Sequence, residues 1–289
     1  MKKAKDISSV SSIVSNIGGR PVKIILIALS LITVIFPVYW LITSSLKMPQ
    51  EYIAYPPVMV PTRIVFDSYV EVFTRDKLGR TFMTSFSVAA ITTIICVLIG
   101  AMAAYSLSRG KLGAKTRAVF GIWFLIQKMY PAIATAIPVY LVMRTLRLMD
   151  TQAALIIMNT SFNLPLVIWL MMGFFEQLPF ELEESAMIDG ASYYRRFFSI
   201  ILPLTKPGLI AAAILTFVAT WNEFLFAVIL SIKNTKTLPV VIAGFITDRG
   251  LAWGPMSAAA TVMLVPVVLL AWAVQRDFVQ GLSTGAVKG

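Results

Sequence analysis

The sequence predicts an all-α membrane protein with about six spanning helices. Three observations carry this. Hydrophobic residues make up 58% of the 289, and charged residues only 13%, too few to coat a water-soluble surface. The apolar residues fall into six long blocks, each able to cross roughly 30 Å of hydrocarbon as a helix. The blocks lack the alternation of a barrel strand, and lipid leaves backbone groups no partners outside a helix.

The first block is Val22–Ser45. Lys2, Lys3 and Lys5 precede it as in a signal peptide, but the block outruns a signal core of about 7–15 residues and reads as a retained span. The second is Thr81–Ser108 and the third Ala118–Met143. Within the third, Tyr130-Pro131 predicts a kink or unwound turn. Lys128 just before it either snorkels to an interface or pairs with Glu223, and the first is favoured. The fourth block is Thr151–Phe175, the fifth Gly208–Ile232 and the sixth Gly254–Gln275. This organisation gives an N-terminal segment 1–21, a six-span domain 22–275 and a tail 276–289.

Charge orients the spans. Arg109, Lys111, Lys115 and Arg117 crowd one short loop without an acid, and the N-terminal segment is also basic. The positive-inside rule places both in the cytoplasm, with both termini and the loop 176–207. The net charge of +11 is therefore a topology signal, not a nucleic-acid footprint. With no histidine and a single cysteine, a Cys/His metal site, an intrachain disulfide and a histidine base are all excluded. Cys96 reads as a packing residue. No phosphate loop of the Walker type is present, and no catalytic residue is assigned.

Two connectors are long. Residues 47–80 hold Pro49, Pro56, Pro57 and Pro61, then the mixed stretch Asp67–Lys77, which suits a short amphipathic helix. Residues 176–207 predict two short helices about a bend. Pro179 can open the first, followed by Glu181, Glu183 and Glu184 in its first turn. Leu182, Ala186 and Met187 recur at helical spacing, and Gly190 suits the turn. Tyr193–Leu202 forms the second stretch, with Pro203 and Pro207 ending it.

Within that connector, Glu184-Ser185-Ala186, three residues, Gly190, nine residues, then Ile200-x-Leu202-Pro203 resembles the EAA loop of ABC importer permeases. Ser185 stands where the family usually has alanine. The resemblance implies a type I importer fold with a cytoplasmic coupling helix between spans four and five. Its docking element would comprise Glu184, Ser185, Ala186, Asp189, Gly190, Ala191, Ile200, Leu202 and Pro203. Asn163-Leu164-Pro165, Trp221-Asn222-Glu223-Phe224 and the ending Gly281–Gly289 are similar to the carbohydrate, maltose-type branch.

The implied partners are a second homologous permease, two cytoplasmic ABC ATPase subunits carrying ATP and Mg, and an extracytoplasmic solute-binding protein. The chain itself would bind no cofactor and would sit, multi-pass, in a bacterial or archaeal cell (inner) membrane. Trp221, Asn222 and Glu223 are the solute-pathway candidates. Trp221 offers a ring face, and Asn222 can donate to and accept from hydroxyls. Glu223 is an intramembrane acid. Asn222 and Glu223 read equally well as interhelical glue or the cap of a broken helix. The alternatives are a non-sugar cargo for the same kind of permease, or an ion-coupled secondary transporter. The latter wants more intramembrane acids than this chain has.

Overall fold

The computed structural model describes residues 20–285 except 111, 248 and 249. Most of the N-terminal segment and the last four residues of the Gly281–Gly289 motif lie outside the described residues. Helix α1 (Arg20–Ser44) leads through a loop into α2 (Asp67–Thr74), the expected short helix. That loop is pinned by Glu51, whose carboxylate accepts from the N–H of Met48 and from both the N–H and hydroxyl of Thr62. Then come α3 (Leu78–Arg109), α4 (Ala114–Met129), α5 (Ala136–Thr145) and α6 (Gln152–Glu176). The connector holds α7 (Glu181–Ile188), α8 (Tyr193–Arg196) and a π turn over Phe197–Ile201, closed by α9 (Leu202–Leu204). The chain continues as α10 (Lys206–Trp221), α11 (Leu225–Leu230), α12 (Leu238–Ala243) and α13 (Trp253–Gly285). A two-stranded antiparallel hairpin, β1 (Ile246–Thr247) and β2 (Gly250–Leu251), precedes α13, with Ile246 opposite Leu251.

Among the described residues, α1, α3, α6 and α13 are each long and apolar enough to cross a membrane. The third and fifth blocks are not continuous helices: the third bends at the Tyr130-Pro131 pair, as its sequence predicts, and the fifth is interrupted as well. Between α4 and α5 the axis turns by 84°, because Pro131 lacks an N–H and holds the preceding Tyr130 in an extended conformation. The fifth block runs as α10, breaks at Asn222–Phe224 and resumes as α11. Pro207 lies in the first turn of α10, so it opens that span instead of closing the arm before it.

The core forms where α3 lies along α6, with α10 packed across both. Small residues permit this approach. Ala101 and Ala104 are buried on α3, and a Cβ on Gly100 would stand 2.6 Å from Cγ1 of Val167 on α6. Without a hydrophobic drive between helices in lipid, such close backbone packing is what holds them. Cys96 is buried in this cluster, as a packing residue would be. By contrast, α4 buries no residue and the apolar side chains of α1 are largely exposed, leaving these helices to face lipid or another subunit.

Candidate functional site

The connector α7–α9 is seated on the end of α3 by a polar lock inside an aromatic cage. Arg109 Nε lies 3.2 Å from Glu183 Oε1, with side chains only 8% and 4% exposed. The approach is an ion pair without an aligned hydrogen bond. The hydrogen bonding comes from elsewhere: Tyr105 donates to Glu183 Oε2 at 2.8 Å, and Arg109 Nη2 donates to the carbonyls of Phe175 and Leu178, the latter at 2.6 Å. One guanidinium thereby ties the last turn of α6, the start of the connector and α7 to α3. Around the lock, the Tyr105 ring lies 5.7 Å from Phe175, 4.9 Å from Phe197 and 5.0 Å from Tyr193.

Helix α7 begins at Glu181 with Phe180 as its N-cap, so Pro179 lies just before the helix and does not open it. The inward face is Glu183 and Ala186, while Leu182 and Met187 point outward. Of the residues recurring at helical spacing, only Ala186 turns inward; Glu183 joins it because Arg109 and Tyr105 make a charged residue welcome in the interior. The helix ends in a Schellman motif. Gly190 has φ +76°, its N–H donates to Met187 O at 3.0 Å, and Ala191 N–H donates to Ala186 O at 2.9 Å. Ser192 caps α8 by accepting from Arg195 N–H.

The EAA-type residues therefore divide between two surfaces. Ala186 is buried, while Ala191, Ile200 and Leu202 are half-buried; Ile200 and Leu202 pack against the α3–α6 core. Glu184, Ser185, Asp189, Gly190 and Pro203 are exposed. The Ser185 hydroxyl turns back to Glu181 O at 2.9 Å. Beside them Ile188 is 87% exposed, with Leu182 and Met187 also outward. Exposed apolar residues grouped on one arm mark a contact surface for protein or membrane. Sequence reading missed Glu183, Tyr105 and Arg109. The available signal was the four-residue spacing of Tyr105 and Arg109, which puts both on one helix face.

The pathway candidates sit at the break in the fifth block. Trp221 is 1% exposed, its Nε1 donates to Met263 O at 3.1 Å, and its ring packs edge-on to Phe82 and stacks with Phe217. Its faces are covered by this chain. Asn222 is exposed and donates to Val218 O at 2.8 Å. The Glu223 carboxylate accepts from the N–H groups of Phe226 at 2.7 Å and Ala227 at 3.0 Å, capping α11. Lys128 does not reach Glu223; its Nζ lies 3.4 Å from both Phe162 O and Asn163 Oδ1. Asn163 in turn donates to the Thr220 hydroxyl at 3.3 Å, so a polar chain links the bend of the third block to the break of the fifth.

On the side away from the connector, Asp150 clasps the exit of α11. Its carboxylate accepts from the N–H groups of Ile232, Lys233, Asn234 and Thr235, and from the side chains of Asn234 and Thr235. Burial disfavours its charge. The N–H groups of Ile232 and Asn234, the Thr235 hydroxyl and the Lys233 N–H outweigh that and hold the carboxyl below the usual carboxylate range. Among the described residues no group of three or more Cys, Asp or Glu is placed to hold a metal.

Comparison with known proteins accords with this architecture. The family model described as "Binding-protein-dependent transport system inner membrane component" matches residues 96–282. The trehalose transport system permease protein SugB of Mycobacterium tuberculosis is 37% identical over 260 residues, covering 88% of this chain and 93% of that one. The sulfoquinovosyl glycerol transport system permease protein SmoH of Agrobacterium fabrum is 33% identical over 273 residues, covering 94% and 95%. The melibiose/raffinose/stachyose import permease protein MelC of Bacillus subtilis is 33% identical over 255 residues, covering 88% and 91%. A crystal structure of a bacterial ABC transporter involved in alginate import superposes with a TM-score of 0.75 at 22% identity, covering 88% and 94%, which shows the fold. A multi-pass membrane chain with this fold and match is a transport subunit, not an enzyme: it belongs to the family of binding-protein-dependent transport system inner membrane components.

Proposed function

We propose that this chain is one of two membrane subunits of an ATP-driven importer for a sugar or oligosaccharide. The observation that carries the reading is the arm α7–α9, locked to α3 through Glu183 and Arg109 yet presenting Leu182, Met187 and Ile188 outward. Such an arm can transmit a push. A soft loop would absorb it, whereas the buried ion pair and the aromatic cage make arm and span move together. The sugar assignment is supported by relatives whose names specify trehalose, melibiose or diacetylchitobiose.

In this reading the arm and both termini face the cytoplasm, the side favoured by the basic loop after α3. Two ATPase subunits, carrying ATP and Mg, each receive one arm. The exposed Glu184, Ser185 and Asp189 with the apolar tip fill the receiving groove, and Gly190 sets its bend. A second, homologous permease completes the pathway, and an extracytoplasmic binding protein delivers the solute. ATP binding favours one conformation of the assembly and hydrolysis returns the other, so uptake follows from differential affinity for two states. Asn222 lines the solute path at the break of the fifth span, while Trp221 and Glu223 hold that break in shape.

The test is reconstitution of the chain with its second permease, ATPase and binding protein in liposomes. Uptake of labelled trehalose or maltose-type oligosaccharides should require ATP inside and the binding protein outside. Solute movement by the isolated chain without ATP, or labelling of Asp189→Cys only from the extracellular face, would overturn the reading.

A further inference from the structure

A groove of about 540 Å³ opens between the first half of α4 and the last half of α6. Gly121 and Gly173 lie on its two walls, and a Cβ at either position would meet nothing within 4 Å. The gap is therefore open space, not a tight glycine contact. Trp169, 41% exposed, stands deeper on the same wall as Glu176. Seven residues of helix separate them, so the groove descends roughly 10 Å from the membrane interface into hydrocarbon.

The mouth carries both signs of charge. Arg117 donates from Nη2 to Leu112 O at 3.2 Å, and its Nε is shielded from solvent with no acceptor among the described residues. Glu176 is exposed and takes no part in the two ion pairs among the described residues, Arg75–Glu71 and Arg109–Glu183. An Arg117 with one unsatisfied N–H and an acid outside both ion pairs among the described residues thus sit at the mouth of the slot.

We propose that this groove binds an aminophospholipid, its phosphate on Arg117, its ammonium on Glu176 and one acyl chain along Trp169, Gly121 and Gly173. The charges favour this occupant. A purely anionic headgroup would meet Glu176 as a like charge, and a choline headgroup offers no N–H to it. A sugar would leave its hydroxyls unpaired against the glycine and tryptophan walls. The lipid would wedge the otherwise unburied α4 against α6 beside the root of the arm.

Lipid retention tests this without any transport measurement, so its result does not depend on the importer reading. The assembled importer is exchanged into nanodiscs of equal phosphatidylethanolamine, phosphatidylglycerol and phosphatidylcholine, washed in detergent and examined by native mass spectrometry. The wild type should keep phosphatidylethanolamine in preference to the other two. Gly173→Leu, which fills the slot, should abolish retention. Arg117→Gln and Glu176→Gln, both conservative, should each lower it about fivefold, with Glu176→Gln raising the share of phosphatidylglycerol. Loss of all lipid from the wild type, equal retention of phosphatidylglycerol, or a disulfide from Gly173→Cys to the second permease would each overturn the proposal.

Discussion

Arg109 and Glu183 meet 3.2 Å apart in a shielded pocket, across 74 residues of chain that contain two further membrane blocks. The pair fastens the connector to the second span and not to the fourth or fifth, its neighbours in sequence. Helix α7 is thereby anchored to α3, the helix packed most extensively against α6 and α10.

Removing one member of this pair leaves the other buried and uncompensated, which costs about 3–5 kcal/mol. Arg109→Met and Glu183→Leu should each lower the thermal stability of the purified assembly and reduce solute moved per ATP hydrolysed. The double variant should recover much of the stability, since two apolar residues leave no charge behind. A double-mutant cycle on melting temperature reads the coupling. Equal losses in the singles with simple addition in the double would show that the two side chains act independently.

Gly190 adopts φ +76° with empty space around its Cα. Substitution there is opposed by backbone conformation alone, about 1–2 kcal/mol for an ordinary residue. Gly190→Asn should keep ATPase assembly and coupling near normal, because asparagine tolerates this region. Gly190→Leu should impair assembly with the ATPase or uncouple hydrolysis from uptake, as judged by co-purification and by uptake per ATP. Full function in Gly190→Leu would dissociate the Schellman turn from coupling.

The Asp150 clasp has a definite pH signature. The folded carboxyl lies below its unfolded value, so its stabilisation is present above about pH 4 and fades as pH falls through the lower, folded value. Hydrogen exchange at Ile232–Thr235 should stay slow at about pH 4.5, well above the folded value. Asp150→Asn should speed exchange at these amides across the neutral range, because a neutral amide accepts weakly from several N–H groups. Unchanged exchange in that variant would mean the loop is held by other contacts.

A methyl group on Gly100 would press within 2.6 Å of Val167 Cγ1. Gly100→Ala should therefore destabilise the bundle by about 1–3 kcal/mol through overpacking. Gly100→Ala combined with Val167→Ala should be milder, since the second change clears the contact. Melting of the detergent-purified assembly compares them.

Much of this architecture was legible from local pattern. Long apolar blocks in a charge-poor chain can satisfy their backbones in lipid only as helices, so the spans followed from composition and length. Gly190 was legible as a turn because only certain residues enter that backbone region easily. The bend at Tyr130-Pro131 was legible because proline restricts its own φ and the residue before it. The direction of α7 was not. Glu183 and Glu184 are adjacent and chemically alike, and nothing local states which is buried. Tyr105 and Arg109 decide it from another span. Trp221 likewise reads as an available ring face until Phe82, Phe217 and the Met263 carbonyl enclose it.

The sequence by itself determined the solvent, the helical class, the number of apolar blocks and the position of the arm. Each depends on hydrophobicity, backbone restriction or spacing that a short segment carries within itself. The tertiary structure alone decided which acid becomes the anchor, that the fifth block breaks at Asn222–Phe224, and which polar groups meet between spans. Those outcomes depend on the energy of burying a charge or a carbonyl, and that energy is set by a partner brought near from elsewhere in the chain.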